Sequence, residues 1–213
     1  MQIYEYGDPN AQAMLVQPVD ASDLEQVETE IAEIKKLANV PFRLMTVAVD
    51  SWNGDLSPWE APAVFGKEGF GDGAKRTLEY ILKSCGDSDK TYYLGGYSLA
   101  GLFCLWAAYE TEMFRAAAAV SPSAWFPGIL EYMKEHDPKA SCIYLSLGDK
   151  EEKTRNPVMA TVGDRIREGY ELLKAQGVHT TLEWNPGNHF KDSGLRTAKG
   201  FAWVLNEASA GIE

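Results

Sequence analysis

From residue 13 onward the chain alternates short apolar runs with segments of helical period, and this alternation limits the fold more than any other feature. The runs are Ala13-Met14-Leu15-Val16-Gln17, Phe42 to Val49, Thr91 to Tyr97, Ala116 to Val120, Cys142 to Leu147 and Thr180 to Trp184. Nearly all are apolar throughout rather than at every second residue, as expected of strands buried on both faces. After the first run, Ser22-Asp23-Leu24-Glu25 reads as a capping box, and Leu24, Val27, Ile31, Ile34 and Ala38 form one helical stripe that Pro41 ends. Further stripes are Ala74, Leu78, Ile81 and Cys85, then Leu102, Leu105, Trp106 and Tyr109. A last helix starts near Gly194 and is expected to bury Leu195, Ala198, Ala202 and Leu205. The pattern predicts an α/β fold: a mostly parallel central sheet with helices on both faces. Gln2 to Tyr6 is a candidate antiparallel edge strand.

The 213 residues suffice for one ordinary domain, expected to span 1–213. Twenty Lys and Arg against 31 Asp and Glu leave a net charge of −11. A surface of that sign repels phosphate backbones and anionic lipid, which argues against nucleic-acid and membrane partners. No apolar run approaches the roughly 20 residues of a membrane helix, and Met1-Gln2-Ile3-Tyr4-Glu5 does not read as a secretory signal. Cys85, Cys104 and Cys142 are odd in number and widely spaced in apolar text. They read as reduced, buried thiols of a cytoplasmic protein, not as a disulfide framework or a zinc site.

In a parallel sheet the chemistry sits beyond the carboxyl ends of the strands. Gly96-Tyr97-Ser98 lies there, although chance supplies about one Gly-x-Ser triplet in a chain of this composition, and Gly86-Asp87-Ser88 is another. What separates Ser98 is its context: an apolar strand runs into it and a helix leaves it with no loop between. Gly96, Ala100 and Gly101 are small enough for strand and helix to approach, and the Leu99 amide would lie at the helix N-terminus facing an anion formed beside Ser98. A serine needs a base. Of three histidines, His136 lies at a frayed helix end and His179 at the wrong end of its strand, whereas His189 follows the last strand on the edge that carries Ser98. The acid is sought after the fifth run, where Asp149, Glu151 and Glu152 compete. A tight turn at Gly148 returns the third residue beyond it to the sheet edge, which favours Glu151.

The order Ser98, Glu151, His189 resembles that of the α/β-hydrolases over roughly residues 13 to 207, and most of all the small esterases related to esterase D, feruloyl esterases and siderophore esterases. The resemblance implies hydrolysis of a small-molecule ester through an acyl-serine, with no cofactor and no metal. It also implies a second oxyanion donor just past the first run, at the amide of Val19 or Asp20, with Trp52 in the next loop as a third candidate. Three positions depart from the pattern. Ala100 replaces a glycine, a change that Gly101 is expected to make tolerable; Gln17-Pro18 replaces a His-Gly pair; and the acid is Glu instead of Asp.

Only Ser121 through Ser141 separates the fourth and fifth runs, too little for a large cap domain. The cleft is therefore expected to be open, walled by Trp52 and Trp59 on one side and Trp125 and Phe126 on the other. Two other readings share these residues: an inactive hydrolase scaffold that binds a small ligand, and an acyltransferase or peptidase. The Gly95 to Gly101 segment lacks the register of a dinucleotide loop.

Overall fold

A computed structural model describes residues 1–210; the last three residues of the expected 1–213 domain, 211–213, lie outside the described residues. The strands are β1 (Gln2–Gly7), β2 (Ala13–Val19), β3 (Phe42–Ala48), β4 (Thr91–Tyr97), β5 (Phe114–Val120), β6 (Cys142–Gly148) and β7 (His179–Asn185). The helices are α1 (Ala21–Leu24), α2 (Val27–Leu37), α3 (Trp52–Leu56), α4 (Ala74–Ser84), α5 (Leu99–Glu110), α6 (Ile129–Glu135), α7 (Val162–Ala175) and α8 (Ser193–Ala210). All seven strands form one sheet in the order β1-β3-β2-β4-β5-β6-β7, parallel except for β1, which pairs antiparallel with β3.

The unbroken apolarity of the central strands follows from this arrangement. Successive residues point to opposite faces, and both faces are covered. Val16, Leu94, Ala117, Ala119, Ile143 and Leu145 pack under α4, α5, α6 and α7. Their neighbours Leu15, Leu44, Tyr93, Ala116, Ala118 and Tyr144 pack under α2 and α8. Cys85, Cys104 and Cys142 are all buried and unpaired.

Four local expectations are revised. The first helix is two, α1 and α2, and its capping box sits two residues earlier. Asp20 Oδ1 accepts from the amides of Ser22 and Asp23, and the Asp23 carboxylate accepts from the Asp20 amide. The loop after β3 contains α3, started by Ser51, whose hydroxyl accepts from the Gly54 amide. α7 was not anticipated; it buries Ile166, Gly169 and Leu173, a stripe that a glycine interrupts. Leu195, in the first turn of α8, is exposed, whereas Ala198, Phe201, Ala202 and Leu205 further along the helix are buried.

Glu30 of α2 and Gln17 of β2 are buried within the second layer. Burial pushes the Glu30 carboxyl up to about 8, helped by the charge of Asp23 and opposed by a hydrogen bond from Gln17. The folded protein therefore holds this proton more tightly than the unfolded chain does, and its stabilising contribution is complete at acidic pH and lost as pH rises toward 8. Relative to Glu30→Gln, the native chain should lose melting temperature between pH 5 and pH 9. A gap between the two proteins that stays constant across that range would show that Glu30 ionises normally.

Candidate active site

β4 runs into α5 through a single residue. Ser98 takes φ 60° and ψ −119°, a strained conformation for an L-residue. Its backbone is pinned on both sides: the amide donates to the Val120 carbonyl at 3.0 Å, and the carbonyl accepts from the Ser123 amide at 3.1 Å and the Leu102 amide at 3.0 Å. The sharp turn brings strand and helix into contact. A Cβ on Gly96 would lie 2.7 Å from Ala100 Cβ, and one on Gly101 would lie 2.8 Å from the Val120 carbonyl oxygen. Gly96, not Gly101, is thus what makes room for Ala100.

The loop after β7 carries His189 over the same edge. Its Nε2 lies 2.9 Å from Ser98 Oγ, and its Nδ1 lies 2.6 Å from Glu151 Oε2. An ionised carboxylate only accepts, so Nδ1 carries the hydrogen and Nε2 is left to accept the Ser98 hydroxyl proton. Glu151 reaches this position through the turn at Gly148: its amide donates to the Gly148 carbonyl at 3.1 Å, while the Gly148 amide donates to Glu151 Oε1 at 2.7 Å. The competing acids face elsewhere. Asp149 accepts from the Gly187 amide at 2.7 Å, and Glu152 pairs with Arg167 at 3.2 Å. His136 and His179 are far from the edge, bonded to the Tyr132 carbonyl and to Glu207.

Sequence reasoning missed Arg196, which is 2% exposed on α8. Its Nη1 donates to Glu151 Oε1 at 3.0 Å and to Tyr97 Oη at 3.1 Å. Its Nη2 donates to the carbonyls of Pro186 at 3.2 Å and Asn188 at 3.0 Å, gripping the loop that presents His189. The Tyr97 hydroxyl in turn donates to the His189 carbonyl at 2.7 Å, and the Ser121 hydroxyl donates to Glu151 Oε1 at 2.9 Å. Glu151 is therefore buried with one cation and four hydrogen-bond donors, the arrangement that makes a buried carboxylate tolerable. The sequence carried little signal for it, since Arg196 stands beside Ser193, Thr197 and Lys199 in a polar helix start.

Leu99 is the first residue of α5, so its N–H has no partner within the helix and adjoins Ser98. The Val19 amide does not complete the pair. The Val19 carbonyl accepts from the Val49 amide at 3.0 Å, and in a parallel ladder a residue's N–H and C=O point to the same neighbour. Val19 thus faces β3, away from Ser98. The Asp20 amide is engaged by Asp23 at 3.2 Å.

A cavity of about 390 Å³ opens beside Ser98 and His189, lined by Phe65, Pro122, Trp125, Met159, Val162 and Phe190, among others. Of the four aromatics expected to wall it, only Trp125 does. Phe126 is 2% exposed in the core, Trp59 packs on Phe126 and Tyr132 and donates to the Pro127 carbonyl, and Trp52 packs against the first layer. Their places are taken by Phe65, edge-on to Trp125, and by Phe190, 87% exposed beside His189. Between β5 and β6 stands only the short α6, with no large cap.

The seven-stranded, mostly parallel sheet with helices on both faces and the serine at its strand-to-helix turn are those of the α/β-hydrolase fold. Among solved structures, the chain is similar to the siderophore hydrolase EstA from Aspergillus nidulans, at 19% identity and a TM-score of 0.70 over 94% of this chain and 85% of that one. It is similar to the enterobactin and salmochelin hydrolase IroE, at 15% identity and a TM-score of 0.64 over 97% and 88%. A ferulic acid esterase aligns at 15% identity and a TM-score of 0.62 over 93% and 85%. At these identities the likeness is one of fold. No family model and no curated sequence matches the chain.

Proposed function

We propose that the protein is a serine hydrolase, and specifically a carboxylic ester hydrolase that works through an acyl-serine intermediate. The observation that carries this reading is the hydrogen-bonded chain from Ser98 Oγ through His189 to Glu151 at the mouth of an apolar cavity. His189 Nε2 takes the proton as Ser98 Oγ attacks the ester carbonyl. The tetrahedral oxyanion then receives the Leu99 amide, which is already in place, and the dipole of α5. Collapse expels the alcohol, protonated by His189, and a water repeats the sequence on the acyl-serine. Glu151 holds the imidazole tautomer and stabilises the imidazolium, and Arg196 holds Glu151. Phe65, Trp125 and Phe190 suit a bulky or planar substrate group, in keeping with the esterases of similar fold. With Val19 turned away and the Asp20 amide engaged by Asp23, Trp52 is left of the three candidates for the second oxyanion donor, and removing such a donor costs about 100-fold or more in turnover. The three buried, unpaired thiols support a reducing, cytoplasmic setting.

A fluorophosphonate probe tests the proposal, because it labels a serine only when its base activates it. Labelling at Ser98 that His189→Ala abolishes is the expected result, and an unlabelled native protein would leave an inactive scaffold. Turnover of a p-nitrophenyl ester panel should fall about tenfold less in Glu151→Gln than in His189→Ala, since the acid only orients and stabilises the base. The reverse ranking would take the acid role away from Glu151.

A further inference from the structure

The most exposed large apolar side chain among the described residues is Phe190, at 87%, and it stands at the mouth of the Ser98 cavity. An apolar ring in water gains free energy from any cover it finds, so a loop free to turn would tuck it away. This loop is not free to turn. The Phe190 amide donates to Asn188 Oδ1 at 3.1 Å, and the Lys191 amide donates to the Asn188 carbonyl at 3.2 Å. Arg196 and Tyr97 donate to the Asn188 and His189 carbonyls at 3.0 Å and 2.7 Å, and the Gly187 amide donates to Asp149. The bonds that seat His189 therefore also seat Phe190, whose ring lies edge-on to the imidazole with centroids 5.6 Å apart.

The rest of the apolar wall is of another kind. Trp125 follows β5, Met159 and Val162 lie at the entry to α7, and all three pack on the first core layer. Phe65 is edge-on to Trp125 and belongs to the same end. The cavity thus has an inner end continuous with the core and one free ring at its outer end, beside the base.

The chemistry tells the two ends apart. In the tetrahedral intermediate the reacting carbon carries four groups, and three of them have fixed directions. One is Ser98 Oγ, one is the oxyanion facing the Leu99 amide, and one is the leaving oxygen, which must reach His189 Nε2 to take its proton. The acyl substituent is left to point away from His189, into the inner end. The alcohol departs along the His189 side, where Phe190 stands.

Given the reading of Ser98 as nucleophile, on which this rests, we propose that Phe190 determines specificity for the alcohol half of the ester. Its ring covers an apolar alcohol that itself carries a ring, in an offset or edge-to-face contact, while Trp125, Met159 and Val162 hold the acyl half. Both halves are uncharged, because Glu151 and His189 are the only ionisable side chains on the wall and are engaged with each other. No lining group remains to offset the desolvation of a substrate charge.

Benzyl acetate and methyl phenylacetate test the proposal, being isomers that carry the same ring on opposite sides of the ester. Phe190→Ala should lower kcat/KM for benzyl acetate about fivefold more than for methyl phenylacetate, and Phe190→Tyr, which keeps a ring, should restore the native ratio. Met159→Ala, at the inner end, should shift the ratio the other way. The exposed side chain of Phe190 leaves no cavity when it is removed, and a general loss of structure would lower both isomers together. Equal losses for the two isomers in Phe190→Ala, or a larger loss for methyl phenylacetate, would overturn the proposal while the hydrolase reading stands. A native protein that cleaves neither isomer also overturns it, and fluorophosphonate labelling of Ser98 then decides whether the hydrolase reading falls with it.

Discussion

Ser98→Ala should lower turnover of a short-chain p-nitrophenyl ester by about 10⁵-fold, with circular dichroism and melting temperature nearly unchanged. The size of the effect follows from the step being removed. Without the oxygen no acyl-enzyme forms, and only water activated by His189 beside the Leu99 amide remains. The fold survives because the turn rests on backbone bonds from residue 98 to Val120, Ser123 and Leu102, which alanine keeps. The strained φ of 60° is held by those same bonds and stays as it was. Residual activity within tenfold of native would place the nucleophile elsewhere.

Arg196→Met should produce the largest loss of stability of any single substitution at this edge, about 3–5 kcal/mol. At roughly 2–4 °C per kcal/mol for a chain of this size, melting falls on the order of 10 °C. Removing the guanidinium leaves Glu151 charged and 8% exposed, with its ion-pair partner gone. It also frees the carbonyls of Pro186 and Asn188, so the His189 loop loses its grip. The double variant Arg196→Met, Glu151→Met should regain part of the stability, because no buried charge is left uncompensated, while the Gly148 amide and the Pro186 and Asn188 carbonyls stay without their partners. It should also remain inactive. A single variant that loses less than about 1 kcal/mol, or a double that loses as much as the sum of the singles, would show that the pair is not coupled.

What was legible in the residues was whatever depends on local order along the chain. Six apolar runs of even burial meant a two-faced parallel sheet, because alternate residues must both find cover. Gly96-Tyr97-Ser98 running straight into a helix meant a sharp turn, because no loop residues were available to soften it. His189 and Glu151 were narrowed by the strand ends they follow, and the structure brings both to Ser98. The aromatic walls were read less well, because Trp59 and Phe126, on two separate loops, look alike as text whether they face a cavity or each other.

Contacts between distant segments were not legible. Arg196, Tyr97, Ser121 and Glu151 meet only where α8, β4, β5 and β6 end together. The direction of the Val19 amide was set by its pairing with β3. The parallel strands and the sharp turn at Ser98 are decided by each residue's near neighbours, so the sequence alone determined them, whereas the cap at Asp20 and the helices α3 and α7 were not read from it. Hydrogen-bond partners across the sheet edge are decided by distances between elements, and those exist only once the layers have packed.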